Sequence, residues 1–418
     1  MLKLSGSPIP KVALVRRHFL QDHIADVAAE TRKRLAEARL SDLVRPGWRI
    51  AITAGSRGIA GIDVIVGTVA EELRRLGAQP FVIPAMGSHG GATAAGQVEL
   101  LAELGITEAR LGVPILSSME TVVVGRCRNG AEVHMDRHAF ESDGVVVINR
   151  VKCHTNFRGP IESGLCKMLS VGLGKQAGAE SIHGHSLAST IPEAAQIALE
   201  TGKVLLGIAV VENAYHQPYR VVAVGPRGFH EADRELLILS NKLAPGLPFD
   251  ELDVLVVDWI GKEISGSGMD SNVIGQWRLT GEPPFRPMYR RVVALNVTPG
   301  SHGNCVGIGM ADFTTRRLVS QFDAEKVYLN ALTANVPHTA KIPMVLETEV
   351  EAVEVALRSA RPRGGDLELV RIKSTSELQE LYVTAPLLSQ LAERGEDFEL
   401  VRGLGPMPAN GRGELLWG

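Results

Sequence analysis

Cysteine is scarce in this chain: Cys127, Cys153, Cys166 and Cys305 are all it has among 418 residues, and none forms a C-x-x-C pair. That excludes a disulfide framework, a zinc knuckle and a thioredoxin-type motif. Aromatic residues make up only 5%, too few for a base-stacking platform. Neither sign of charge dominates. The 44 Lys and Arg against 47 Asp and Glu leave a formal net charge of −3, a field too weak to gather nucleic acid or anionic lipid. No apolar run approaches the ~20 residues that span a bilayer. The N-terminus is broken by Ser, Pro, Lys and Arg and lacks the roughly 7–15-residue apolar core of a signal peptide. The expectation is a soluble cytoplasmic protein in a reducing environment, with neither nucleic acid nor a membrane as partner.

What is present is ordinary globular material, 45% hydrophobic and 22% charged, with a core to be built from Val, Leu, Ile and Ala. The length predicts two domains, 1–247 and 248–418, meeting at the linker Pro245-Gly246-Leu247-Pro248. Glycine is abundant, at 44 residues, and it clusters. The strand patterns Trp48 to Thr53 and Pro80 to Ala85 end in glycine-rich turns, each followed by a helical pattern, Val64 to Leu76 and Gln97 to Leu104. A third strand pattern, Gly144 to Asn149, runs into the polar, glycine-rich stretch Arg150 to His185, and a fourth spans Lys203 to Val211. Strand, polar loop and helix in repetition predict an α/β fold: two α/β domains with mostly parallel sheets and the active site in the interdomain cleft. In the second domain the strand patterns are Leu252 to Asp258, Arg291 to Asn296 and Leu367 to Ile372, and the tail from Gly403 reads as loop.

Ligands of such sheets bind outside the carboxyl ends of the strands, so the loops there carry the candidates. After the first strand come Ser56 and Arg57, the latter able to grip a carboxylate in bidentate fashion. His89 follows the second strand among small neighbours, and His154 follows the third. Lys167 and Lys175 stand in the glycine-rich stretch, where a lysine can serve as nucleophile, covalent anchor or phosphate partner. Gly172 to Ala177 fits G-x-G-x-x-A, but no clean apolar strand precedes it, and Walker A fails because Gln176 follows Lys175. His183 and His185 are two apart, not the four of a zincin helix. Lys262 and Arg278 are the cationic candidates of the second domain, and His302 sits in a similar Gly-Ser-His-Gly turn.

Taken together these residues resemble the lactate racemase family, which uses a nickel-pincer nucleotide. Gly87-Ser88-His89 fits the family's Gly-x-His loop, and His154 matches its second catalytic histidine, with Cys153 in place of a Pro. Ser163-Gly164-Leu165-Cys166-Lys167 resembles the Ser-Gly-Gly-x-Lys element that carries the cofactor-bonded lysine, with Leu165 for the second Gly. Arg57 takes the place of the carboxylate-handling Arg, although Ala54 stands where the family has Asp. His183 falls at the position of the nickel ligand. Asp270 and Asn272 place Arg278 where the family has a substrate-contacting Lys and Gly275 at a neighbouring Gln, which suggests a substrate other than lactate.

The resemblance implies a racemase or epimerase that inverts C2 of a 2-hydroxy acid. The cofactor is pyridinium-3,5-bisthiocarboxylic acid mononucleotide nickel, with Ni²⁺ on His183 and the anchor at Lys167. His89 and His154 are the implied acid and base. Ser56, Gly172 and Lys175 are candidate cofactor contacts, and Arg57, Arg278 and Lys262 candidate substrate contacts. The implied partners are the cofactor-biosynthesis enzymes, and a homodimer stays open on the residues alone. Two other readings stay open on the residues alone. One is a divalent-metal isomerase or lyase of sugar acids using His183 and His185 without the pincer. The other is a non-catalytic cofactor- or ligand-binding protein.

Overall fold

A computed structural model describes residues 8–56, 59–155, 157–280, 286–360, 366–395 and 397–417. Arg57, a candidate substrate contact, lies outside the described residues. The chain divides into two compact units, Leu20–Ala244 and a second made of Met1–Phe19 with Pro245–Gly418. It opens with β1 (Val12–Arg17). The unit that follows contains β2 (Arg49–Ala54), β3 (Gln79–Pro84), β4 (Thr121–Arg126), β5 (Glu132–Asp136), β6 (Gly144–Arg150), β7 (Val204–Glu212) and β8 (Pro218–Val224). The remainder contains β9 (Glu251–Ile260), β10 (Met288–Val297), β11 (Phe313–Thr315), β12 (Met344–Leu346), β13 (Leu369–Ile372), β14 (Glu380–Thr384) and β15 (Phe398–Gly405).

In Leu20–Ala244 a five-stranded sheet runs β3-β2-β6-β7-β8. Only the last pair is antiparallel. Its central strands are near-continuous apolar runs because both faces are covered. Ala51, Val145, Val147 and Ala209 enter one core, and Ile50, Ile52, Val146, Ile148 and Ile208 the other. Helix α1 (Ile62–Arg75) closes the second core with Ile62, Ile65, Val66, Val69 and Leu73, spaced for one helical stripe. α2 (Ala94–Glu103) follows β3 and is N-capped by Thr93. α3 (Lys175–His183), α4 (Leu187–Glu200) and α5 (Phe229–Leu243) carry side chains into the first core. β4 and β5 form a separate antiparallel hairpin.

The strand order reverses at β2: the chain steps outward to β3, then returns to add β6 on β2's other side. The crevice at such a switch point, outside the carboxyl ends of the two strands, is where these sheets bind ligands. The loops opening there are the one after β2, holding Ser56, and the one after β6, holding His154.

The second unit has an eight-stranded sheet, β12-β11-β10-β9-β13-β14-β1-β15. Strands β9 to β13 pair in parallel, and the pairings of β14, β1 and β15 are antiparallel. The first unit therefore starts at Leu20 and not at residue 1, because β1 is hydrogen-bonded between β14 and β15. Residues 403–405, read as loop from their glycines, end β15 instead. No helix among the described residues is long and apolar enough to cross a membrane.

Candidate active site at the carboxyl edge of the five-stranded sheet

Lys167 ends a short helical turn, Leu165–Lys167, that passes into a π-helical turn, Met168–Gly172. Such turns are frequent at functional sites. Two side chains fix where the turn starts. Asn149, near the end of β6, donates from Nδ2 to the Gly164 carbonyl at 2.6 Å. Asp233 of α5 accepts from the Leu165 N–H at 2.9 Å and the Cys166 N–H at 2.8 Å, satisfying donors that the turn leaves unpaired. The approach is so close that a Cβ on Gly164 would sit 2.3 Å from the carboxylate. This is the physical reason for a glycine three residues before the lysine. Burial pushes the Asp233 carboxyl up, against the pull of its backbone donors.

The Lys167 ammonium then meets Nε2 of His154 in a short contact. His154 rides on a loop closed where the Lys152 and Ser163 backbones bond to each other. Glu162, buried at 3% exposure, holds that loop from within. Its carboxylate accepts from the His154 N–H at 2.6 Å and the Gly159 N–H at 3.2 Å. Arg158 donates to the His154 carbonyl at 2.7 Å and pairs with Glu162 at 3.6 Å. The backbone of His154 is thus gripped at both its N–H and its C=O. Desolvation raises the Glu162 carboxyl, with the two backbone bonds, Arg158 and Lys167 opposing it. The Phe157 ring lies 4.6 Å from the imidazole, centroid to centroid.

His183 ends α3. Its Nδ1 lies 2.6 Å from the Ala179 carbonyl oxygen, which can only accept, so Nδ1 carries the proton and Nε2 keeps its lone pair. The residue is exposed by surface area, yet neighbouring protein displaces water around the ring. That desolvation lowers the imidazole pKa, and the Lys167 charge lowers it further. The result is a neutral imidazole with one nitrogen open, the form that ligates a metal.

His89, exposed and in extended backbone, lies in the loop after β3. The Gly87 N–H of that loop donates to the Gly172 carbonyl at 3.2 Å, tying it to the π-helical turn that follows Lys167. Gly172 itself is a packing position, since a Cβ there would lie 2.5 Å from Met168 Sδ and 2.8 Å from the Ala85 carbonyl. Ser56 is half-buried in the loop after β2. Glu212, at the end of β7, accepts from the Ala60 N–H at 2.9 Å and pairs with Arg150, anchoring the same loop farther on.

Three expected ligand contacts are committed elsewhere. Lys175 is wholly buried, with its ammonium 3.0 Å from Asp136 and also bonded to the Pro84 carbonyl and Gln97. Arg278, in the second unit, is buried too. Its guanidinium donates to the Met310 carbonyl at 2.8 Å and the Tyr289 carbonyl at 2.9 Å, and pairs with Asp312 at 2.9 Å. Lys262 donates to the Gly266 carbonyl at 2.6 Å and Asn330 Oδ1 at 2.8 Å.

Residues 13–190 match the family model of the lactate racemase N-terminal domain. Over that stretch the chain is lactate racemase-like. The solved lactate racemase apoprotein of Thermoanaerobacterium thermosaccharolyticum aligns at 11% identity over 87% of this chain and 85% of that one, with a TM-score of 0.46. A crystal structure of a Thermotoga maritima protein aligns at 16% identity over 88% and 89%, with a TM-score of 0.50, a likeness of fold. No curated protein matches the chain. Ser56, His89, His154, Lys167 and His183 all fall inside the lactate racemase-like stretch, whereas Lys262 and Arg278 do not. Asp233, which sets the turn bearing Lys167, also lies beyond it, and no spacing in the sequence links it to Leu165, 68 residues earlier. Glu162 adjoins the Ser163-Gly164 element, but only its burial separates it from a surface carboxylate.

Proposed function

We propose that the protein is a racemase or epimerase of a 2-hydroxy acid, working with a nickel-pincer nucleotide held on Lys167. The observation that carries the reading is the contact of Lys167 Nζ with His154 Nε2. It sets a lysine able to hold a covalent group beside an imidazole able to move a proton.

The residues suit the group. His183 offers one neutral nitrogen. Among the described residues no set of three or more His, Cys, Asp or Glu could hold an ion by itself, and a lone imidazole suits a metal whose other ligands are the sulfur arms of an organic chelator. When bound, the group supplies a hydride acceptor for an unactivated C2–H bond, which side chains cannot provide. Cofactor-biosynthesis enzymes are then required partners.

The remaining work belongs to this chain. In the unmodified protein the Lys167 ammonium occupies His154 Nε2. A thioamide at Nζ, formed with loss of water from a thiocarboxylic acid of the group, would leave the lysine nitrogen uncharged and His154 Nε2 available for acid–base work. One histidine of the pair His89 and His154 takes the hydroxyl proton as the C2 hydrogen departs with its electrons, leaving a 2-keto acid. The second histidine would supply the proton that completes the inverted alcohol once C2 has its hydrogen on the opposite face. Imidazoles with a reference pKa of ~6.5 serve in either direction near neutral pH. Glu162 and Arg158 fix the backbone that aims His154. Arg57 takes the substrate carboxylate. Arg278, buried on Asp312 and two backbone carbonyls, is no substrate contact, and Gly275 in place of the family's Gln points to a 2-hydroxy acid other than lactate.

Enantiopure 2-hydroxy acids incubated in D₂O with cofactor-loaded protein test the reading by chiral chromatography and mass spectrometry. Inversion with the C2 hydrogen retained is expected. His89→Ala and His154→Ala should each lower kcat by roughly 10²–10⁴-fold with the circular dichroism spectrum intact. Solvent deuterium washing into C2 would contradict hydride transfer.

A further inference from the structure

Lys175 has features that a surface lysine lacks. It, Gln97 and Asp136 are each completely buried. Its backbone is in the left-handed region, at φ +53°, at the start of α3. A non-glycine residue pays for that conformation, and an ammonium taken out of water pays more. Both costs are met at one point. Nζ lies 3.0 Å from Asp136 Oδ2 at the end of β5, donates to the Pro84 carbonyl at the end of β3, and donates to Gln97 Oε1 at 3.2 Å. With its oxygen so engaged, the Gln97 amide can present only its NH₂ to the loop. Nε2 donates to the Gly87 carbonyl at 2.9 Å and to the His89 carbonyl at 3.3 Å. Desolvation lowers the Lys175 pKa, with Asp136 opposing the shift.

We infer that Asp136, Lys175 and Gln97 form a buried strut that positions His89: Lys175 fixes the orientation of the Gln97 amide, and Gln97 clamps the backbone on both sides of Ser88. Lys175 and Gln97 are positioning residues and touch neither substrate nor cofactor. The strut takes its meaning from His89 as an acid–base group, so it rests on the function proposed above.

Gln97→Glu and Gln97→Met separate the clamp from the core. Each removes both donors to the loop, and Gln97→Glu keeps an acceptor for Lys175. In both variants amide hydrogen exchange at Gly87–Thr93 should accelerate roughly tenfold or more while β2 and β6 exchange as before. In cofactor-loaded protein kcat should fall about tenfold or more with KM largely unchanged, because orientation and not binding is lost. Nickel content should stay at the parental level. Exchange of the loop at the parental rate, or a parental kcat, overturns the inference. Failure of the unsubstituted, loaded protein to invert any 2-hydroxy acid overturns the functional reading instead, and loop exchange then decides whether the clamp exists.

Discussion

At the scale of single residues, the site depends on which nitrogen carries which proton. His183 is held neutral by desolvation and by the Lys167 charge, with Nδ1–H committed to Ala179. A histidine whose pKa is depressed below 6.5 on folding binds fewer protons than the unfolded chain just below that value. Its contribution to stability is therefore complete above pH 6.5 and is lost as pH falls through the lowered pKa. Urea unfolding of the cofactor-free protein between pH 5 and 7 should show a midpoint rising with pH, and His183→Gln should flatten that rise. An unchanged profile would mean that the ring titrates freely. The positions of His89 and His154 were legible in the sequence because each follows a strand pattern, in the loops after β3 and β6. Lys175 and Arg278 misled for one reason. A cation in a polar, glycine-rich segment looks available until its partners, Asp136 and Asp312, are seen to close over it.

At the scale of elements, the turn that carries Lys167 is held from outside. Asp233 belongs to α5, yet it supplies the acceptors for the Leu165 and Cys166 N–H groups. Asp233→Ala should cost roughly 2–4 kcal/mol, the range for losing charged acceptors from two buried donors. Asp233→Asn, which keeps one carbonyl oxygen, should cost less. Gly164→Ala, forced against that carboxylate, should resemble Asp233→Ala. Equilibrium urea unfolding measures all three, and equal stability across the set would show that the cap is dispensable. The parallel strands β2, β3, β6 and β7 were readable as apolar runs since both their faces are buried. β1 and β14 were missed because each offers only a brief apolar run, Val12 to Val15 and Leu381 to Val383, beside charged residues, and β15 because charges and glycines break its apolar pattern. Arg16 and Glu380 pair across β1 and β14, and Arg16 and Glu399 across β1 and β15.

At the scale of the whole chain, two units each build a sheet, and the second borrows its penultimate strand from the N-terminus. No local pattern announces such a long-range pairing, so a boundary drawn from linkers alone put residues 1–19 with their sequence neighbours. The unit Leu20–Ala244 holds the lysine, the paired histidines and the candidate nickel ligand, and the account stands on their joint use. Peptide mass spectrometry of protein co-expressed with nickel-pincer synthesis enzymes tests this most directly. The mass of the pincer nucleotide is expected on the peptide bearing Lys167 and absent in Lys167→Arg, with nickel lost in His183→Ala. Full racemase activity from protein whose Lys167 is unmodified would contradict it.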